Sequence, residues 1–252
     1  MNALMHMPAG LTFDASALVA LVSLTVMEVV LGVDNLVFVA ILSNTLPEQI
    51  RAKARTTGLV LALALRIGLL STLVVLTHLT QPVVHAFGRG FSVRDLILIA
   101  GGLFLLWKAT TEIRHAVEPG GDAESAAAHP QRSGPLAFAL AILQILLLDI
   151  VFSVDSIITA VGMTEYFPIM VIAVVVAVGV MMVAVGPLAA FIHRNPTVLM
   201  LALSFLLMIG MTLIADGFGF HIERGYIYAA MFFSAVVETL NVLARRKPRR
   251  RT

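Results

Sequence analysis

Met27-Glu28-Val29-Val30-Leu31-Gly32-Val33-Asp34-Asn35 and Leu148-Asp149-Ile150-Val151-Phe152-Ser153-Val154-Asp155-Ser156 are the stretches whose reading decides the fold. They align without gaps on one pattern, acid-x-Val-x-small-Val-Asp-polar, which makes them an internal repeat. Each sits inside an apolar run long enough, as a helix, to cross a hydrocarbon core of about 30 Å. A carboxylate at the centre of a spanning helix costs about 3 kcal/mol on insertion scales, so four of them in two matching pairs mark a functional site.

Working outward, the apolar runs are Ser16–Leu42, Thr57–Thr77, Val93–Trp107, Leu136–Gly162, Phe167–Ile192, Val198–Ala215 and Tyr226–Ala244. With no water in the bilayer core, each must satisfy its own backbone, so each is expected to be a helix. Composition agrees: of 252 residues, 59% are hydrophobic and 13% charged, and mean hydropathy is +0.97. That excludes a disordered chain and speaks against a water-soluble globule. With no Cys, disulfides, thiolate metal sites and iron–sulfur clusters are excluded. Met1–Asp14 has no Lys or Arg, so it lacks the charged start of a cleavable signal, and the first run is expected to remain as a helix.

The second motif lies three helices on from the first, so the copies are expected to cross the bilayer in opposite directions, as inverted repeats of secondary transporters do. The expected fold is an all-α membrane protein with seven transmembrane helices: two inverted three-helix repeats plus a C-terminal helix. A first membrane half, 1–111, is followed by a flexible cytoplasmic linker, 112–135, rich in Gly, Ala, Ser and charge. A second half, 136–244, and a basic tail, 245–252, complete the chain. Most Lys and Arg fall in Arg51–Arg55, Lys108–Arg132, Arg194 and Arg245–Arg251, against Arg89, Arg94 and Arg224 on the other side. Because basic residues in short loops stay cytoplasmic, the N-terminus is expected outside and the C-terminus inside. The basic tail follows a helix end directly, so it reads as an orientation signal on anionic lipid; no nucleic-acid partner is expected.

Deep within the spans lie five acids, Glu28, Asp34, Asp149, Asp155 and Glu238, against one base, Arg66; Arg94 and Asp95 stand at the very start of the third run. Within a motif the acids are six residues apart, about 120° around an ideal helix. They converge on one ion only if the helix breaks between them, at Gly32 or Ser153; otherwise each faces a different neighbour. Broken helices at midplane also expose carbonyls. Carboxylates, the Asn35 amide and the Ser156 hydroxyl are hard oxygen ligands, suited to Mn²⁺, Mg²⁺ or Ca²⁺. Arg66 is either a counterion for these acids in the empty site or a purely structural partner. Buried acids can also serve only to hydrogen-bond neighbouring helices. Asp216 and His221, in the last outer loop, are accessory candidates for ion capture, or solvated loop groups. Glu238 with Asn241 either lines an inner vestibule or caps a contact between helices. The 12 Met residues form no recurring Met-x-x-Met array and read as packing. No phosphate loop follows Gly101-Gly102, and no nucleophile–base pair is visible, so an enzyme is not expected.

At these motifs the sequence resembles the TerC family of integral membrane proteins, named for tellurium resistance and including bacterial manganese exporters. Its carriers here are Glu28–Asn35, Asp149–Ser156, Gly101-Gly102-Leu103-Phe104-Leu105-Leu106-Trp107-Lys108, and Asp216-Gly217-Phe218-Gly219-Phe220-His221 leading into Gly225-Tyr226-Ile227-Tyr228. Gly32 departs from the Ser associated with that position, whereas Ser153 keeps it. The resemblance implies metal-ion homeostasis, with Glu28, Asp34, Asp149 and Asp155 as cation ligands or proton acceptors and Asn35 and Ser156 as neutral ligands. The expected activity is export of Mn²⁺, or of Ca²⁺ or Mg²⁺, across a bacterial plasma (inner) membrane in exchange for protons, with no permanently bound cofactor. The rival is a non-transporting membrane scaffold in tellurium resistance or stress response. Export of a small organic solute would call for an aromatic pocket beside the acids; Trp107 is the only Trp.

Overall fold

The computed structural model describes residues 15–72, 82–86, 89–117, 135–163, 166–220 and 222–245. The first apolar run forms α1 (Ala15–Leu31) and α2 (Val33–Asn44), joined at Gly32. Then come α3 (Glu48–Ser71), a hairpin of β1 (Pro82–Ala86) and β2 (Arg89–Ser92), and α4 (Val93–Val117). The second half comprises α5 (Pro135–Met163), α6 (Phe167–Arg194), α7 (Pro196–Gly217) and α8 (Arg224–Arg245).

Prolines set several starts. Pro196 follows an extended Asn195, and Pro168 lies in the first turn of α6, where a missing N–H costs nothing. At the other end of α7, Gly219 takes φ +73°, its N–H bonds to Asp216 O and the N–H of Phe220 reaches back to Ala215 O. This paired closure, with a left-handed Gly, is a Schellman stop. It explains the Asp216–Phe220 stretch, and it places Asp216 in the last turn of α7 instead of in a loop.

Several expected boundaries move. The second helix begins at Glu48, not Thr57, because Glu48–Arg55 is rich in good helix formers and extends the apolar part. The third continues past Trp107 to Val117, with Lys108 bonded to Glu112 one turn on. Residues 112–117, read as the start of a linker, are therefore helical; residues 118–134 lie outside the described part. The hairpin was not expected at all. Its strands pair antiparallel, Phe91 of β2 packs edge-on against Phe218, and Arg89 donates to the Phe218 carbonyl.

Among the described residues six helical stretches are long and apolar enough to cross a membrane, starting with Ala17–Asn44, in which α1 and α2 act as one span. That is one fewer than expected. The seventh apolar run does form a helix, α8, whose 22 residues extend about 33 Å. α4 packs along α7, α3 against α5, and α1 and α2 along α6. Burial is inverted relative to a water-soluble protein: Glu28, Asp34, Arg66 and Asp149 are buried while Val183, Phe232 and Phe233 are exposed. Such a surface is stable against lipid and not against water.

Candidate functional site

The two acidic motifs meet at Arg66. This residue projects from α3, is 3% exposed, and uses three of its guanidinium donors on partners from both motifs. Nη1 donates to Glu28 Oε2 of α1 at 2.8 Å, Nη2 to Asp149 Oδ1 of α5 at 2.9 Å, and Nε to Ser153 Oγ of α5 at 3.0 Å. The planar fork makes this possible: its donors point in fixed, divergent directions, which an ammonium cannot reproduce. Asn35 of α2 adds a direct link between motifs, its Nδ2 donating to Asp149 Oδ1 at 2.9 Å. Ser153 Oγ in turn donates to Asp149 Oδ2 at 3.3 Å. Ser156 is buried, donates to the Ser153 carbonyl at 3.4 Å and neighbours Glu28.

Glu28, Asn35, Asp149 and Ser156 are thus brought together, with Arg66 between the carboxylates. Asp34 faces a different neighbourhood. It lines a small cavity with Phe152, Ile209, Thr212, Leu213, Ile227 and Tyr228, and accepts from the Tyr228 hydroxyl at 3.5 Å. Of the alternatives that a six-residue spacing leaves, the first motif realises separate neighbours for its two acids. The Asp155 side chain and His221 lie outside the described residues. Asp216 is buried and accepts from the Ile222 N–H at 3.4 Å, closing the α7 end. Glu238, on α8, accepts from Asn241 at 3.4 Å. Among the described residues no three His, Asp or Glu side chains cluster as a metal site requires.

The expected breaks are realised on one side only. Gly32 interrupts the first span, yet its N–H still bonds to Glu28 O and its carbonyl still accepts from Leu36 N, both at 2.9 Å. It is a joint and not an unwound stretch. A side chain there would meet Met181 Sδ of α6 at 2.7 Å, so close packing explains why Gly stands where Ser was expected. The corresponding point of the second motif, Ser153, lies inside the unbroken α5. Sequence reasoning passed over Ser153 as an Arg66 acceptor and missed Tyr228 and Thr212 beside Asp34; Ser153 stands four residues from Asp149 in the same span, whereas nothing along the chain ties Tyr228 or Thr212 to Asp34.

The family model for the integral membrane protein TerC family matches residues 13–252. Inner membrane protein YgdQ of Escherichia coli K12 is 47% identical over 234 residues, covering 93% of this chain and 96% of YgdQ. Inner membrane protein YoaE of the same strain is 49% identical over 233 residues, covering 92% of this chain and 44% of YoaE. Protein YegH, also from that strain, is 48% identical over 231 residues, with 43% of its length covered. This chain therefore spans less than half the length of YoaE and YegH. No solved structure matches it. Matched over nearly its whole length, the chain belongs to the TerC family of integral membrane proteins.

Proposed function

We propose that this protein is a secondary transporter of the bacterial inner membrane that exports a hard divalent cation, Mn²⁺ first, in exchange for protons. One observation carries the reading: carboxylates from two repeated motifs, Glu28 and Asp149, converge at buried depth on a single cationic group. Ionisable groups inside a membrane are costly and mark ion pathways by default. Asn35 supports it further, since its Oδ1 is buried and accepts no hydrogen bond among the described residues. A neutral amide oxygen beside carboxylates and the Ser156 hydroxyl is a hard donor set. Asp34, with Tyr228 and Thr212 at the adjoining cavity, is a second carboxylate station, and Asp155 is its counterpart. The relatives YoaE and YgdQ, named inner membrane proteins, support the location.

Release requires the carboxylates to give up the ion, and protonation from the outer side achieves this, which is the basis for proton exchange. With α8 counted as a seventh crossing, the distribution of Lys and Arg puts the N-terminus outside and the C-terminus inside. A second reading, a membrane scaffold without transport, draws on the same triad: Arg66, Glu28 and Asp149 satisfy one another and can simply hold α1, α3 and α5 together.

Flux of Mn²⁺, Ca²⁺ and Mg²⁺ into proteoliposomes separates the two. Export predicts Mn²⁺ movement that responds to an imposed pH gradient and falls to background in Asp34→Asn and Asp155→Asn. Absence of flux for all three ions removes the transporter reading; flux indifferent to the gradient removes proton exchange alone.

A further inference from the structure

The guanidinium of Arg66 stands where a cation shared by Glu28 and Asp149 would stand. From this geometry we infer that Arg66 is a tethered substitute for the transported ion, and that displacing it restricts the site to divalent cations. The inference rests on the transporter reading above.

Three observations carry it. Arg66 contacts both motifs at once, bonding to one carboxylate from each and to Ser153, at 2.8 to 3.0 Å. It is buried, so these bonds are not shared with bulk solvent. Finally, Asp149 Oδ1 takes both the Arg66 and the Asn35 donor, so the group that binds the substitute also ties the first motif to the second.

Charge then decides selectivity. Glu28, Asp149 and Arg66 together carry one net negative charge when all are ionised; a divalent ion in place of the guanidinium cancels both carboxylates. A monovalent ion offers the same charge as Arg66 and lacks its attachment. Tethering gives the guanidinium an effective concentration on the order of millimolar or above, which a free monovalent competitor must exceed. The substitute also serves the return step. Two carboxylates left buried without a cation are strongly unfavourable; Arg66 compensates one and the exchanged proton the other, so an empty carrier that must reorient needs Arg66 in place.

The test uses the full chain, with Mn²⁺ alone as probe. In Arg66→Gln, Mn²⁺ should bind at least about tenfold more tightly, the factor of one hydrogen bond to a charged group. Na⁺ at high concentration should compete for the variant's site and not for that of the wild type. In vesicles, Arg66→Gln should keep one-for-one Mn²⁺ exchange and lose net efflux. If Arg66→Gln does not fold, Ser153→Ala, which removes the Nε acceptor and the Ser153 bond to Asp149 but leaves both ion pairs, should tighten Mn²⁺ binding several-fold. Unchanged or weaker Mn²⁺ binding in a folded Arg66→Gln, or in Ser153→Ala where it is the variant used, overturns the inference and leaves the transporter reading standing. A wild-type chain that binds none of Mn²⁺, Ca²⁺ and Mg²⁺ overturns both.

Discussion

Asp149 holds more of the buried network than Glu28 does: it accepts from Arg66, Asn35 and Ser153, whereas Glu28 holds Arg66 through one oxygen. Removing one partner of a buried ion pair leaves the other charge uncompensated and costs about 3–5 kcal/mol. Asp149→Ala should therefore lower the thermal unfolding midpoint of the purified protein more than Glu28→Ala, and both far more than an exposed substitution such as Val183→Ala. At this scale the acids were legible because a carboxylate in an apolar run is conspicuous on composition alone. So was Arg66, the one base deep inside a span. What could not be read was the division of labour, with Glu28 and Asp149 on one guanidinium and Asp34 beside Tyr228. That depends on where α3, α7 and α8 sit, and helix spacing along a single chain says nothing about it.

The helices approach closely where side chains are absent. A Cβ on Gly102 of α4 would lie 2.5 Å from the Gly210 carbonyl of α7, and one on Gly210 would lie 3.0 Å from the Gly102 carbonyl. Small residues on facing helices allow this contact in a membrane, where no hydrophobic force drives one helix onto another. Gly102→Val should force α4 and α7 apart and cost about 1–3 kcal/mol or more. Gly179→Ala is the matched control: nothing lies within 4 Å of its added Cβ, and stability should hold or rise slightly. Thermal unfolding of the two variants side by side checks this pair. The Gly101-Gly102 stretch was visible in the sequence as a mark of resemblance, but its partner Gly210 lies far along the chain and nothing local points to it. The β1–β2 hairpin was missed for a related reason. Pro82–Ser92 is too short and too mixed to declare a strand pair until Phe91 finds Phe218.

Across the described residues, ionisable groups such as Glu28, Arg66 and Asp149 are buried while large apolar side chains such as Val183 and Phe232 are exposed, and composition and run length had already pointed to helices in a bilayer. Orientation is read from the distribution of Lys and Arg and is open to direct labelling. The chain has no Cys, so single-cysteine variants give a labelling signal with no background. A cysteine at residue 2 should react with a membrane-impermeant thiol reagent added to intact cells, and one at residue 252 only after permeabilisation; the opposite pattern reverses the assigned topology. The two acidic motifs, alike in sequence, differ in continuity: the first spans two helices that meet at Gly32, while the second belongs to one 29-residue helix without interruption. Arg66 grips Glu28 of the first and both Asp149 and Ser153 of the second, so the undivided helix carries the larger share of its anchorage and the divided one the smaller.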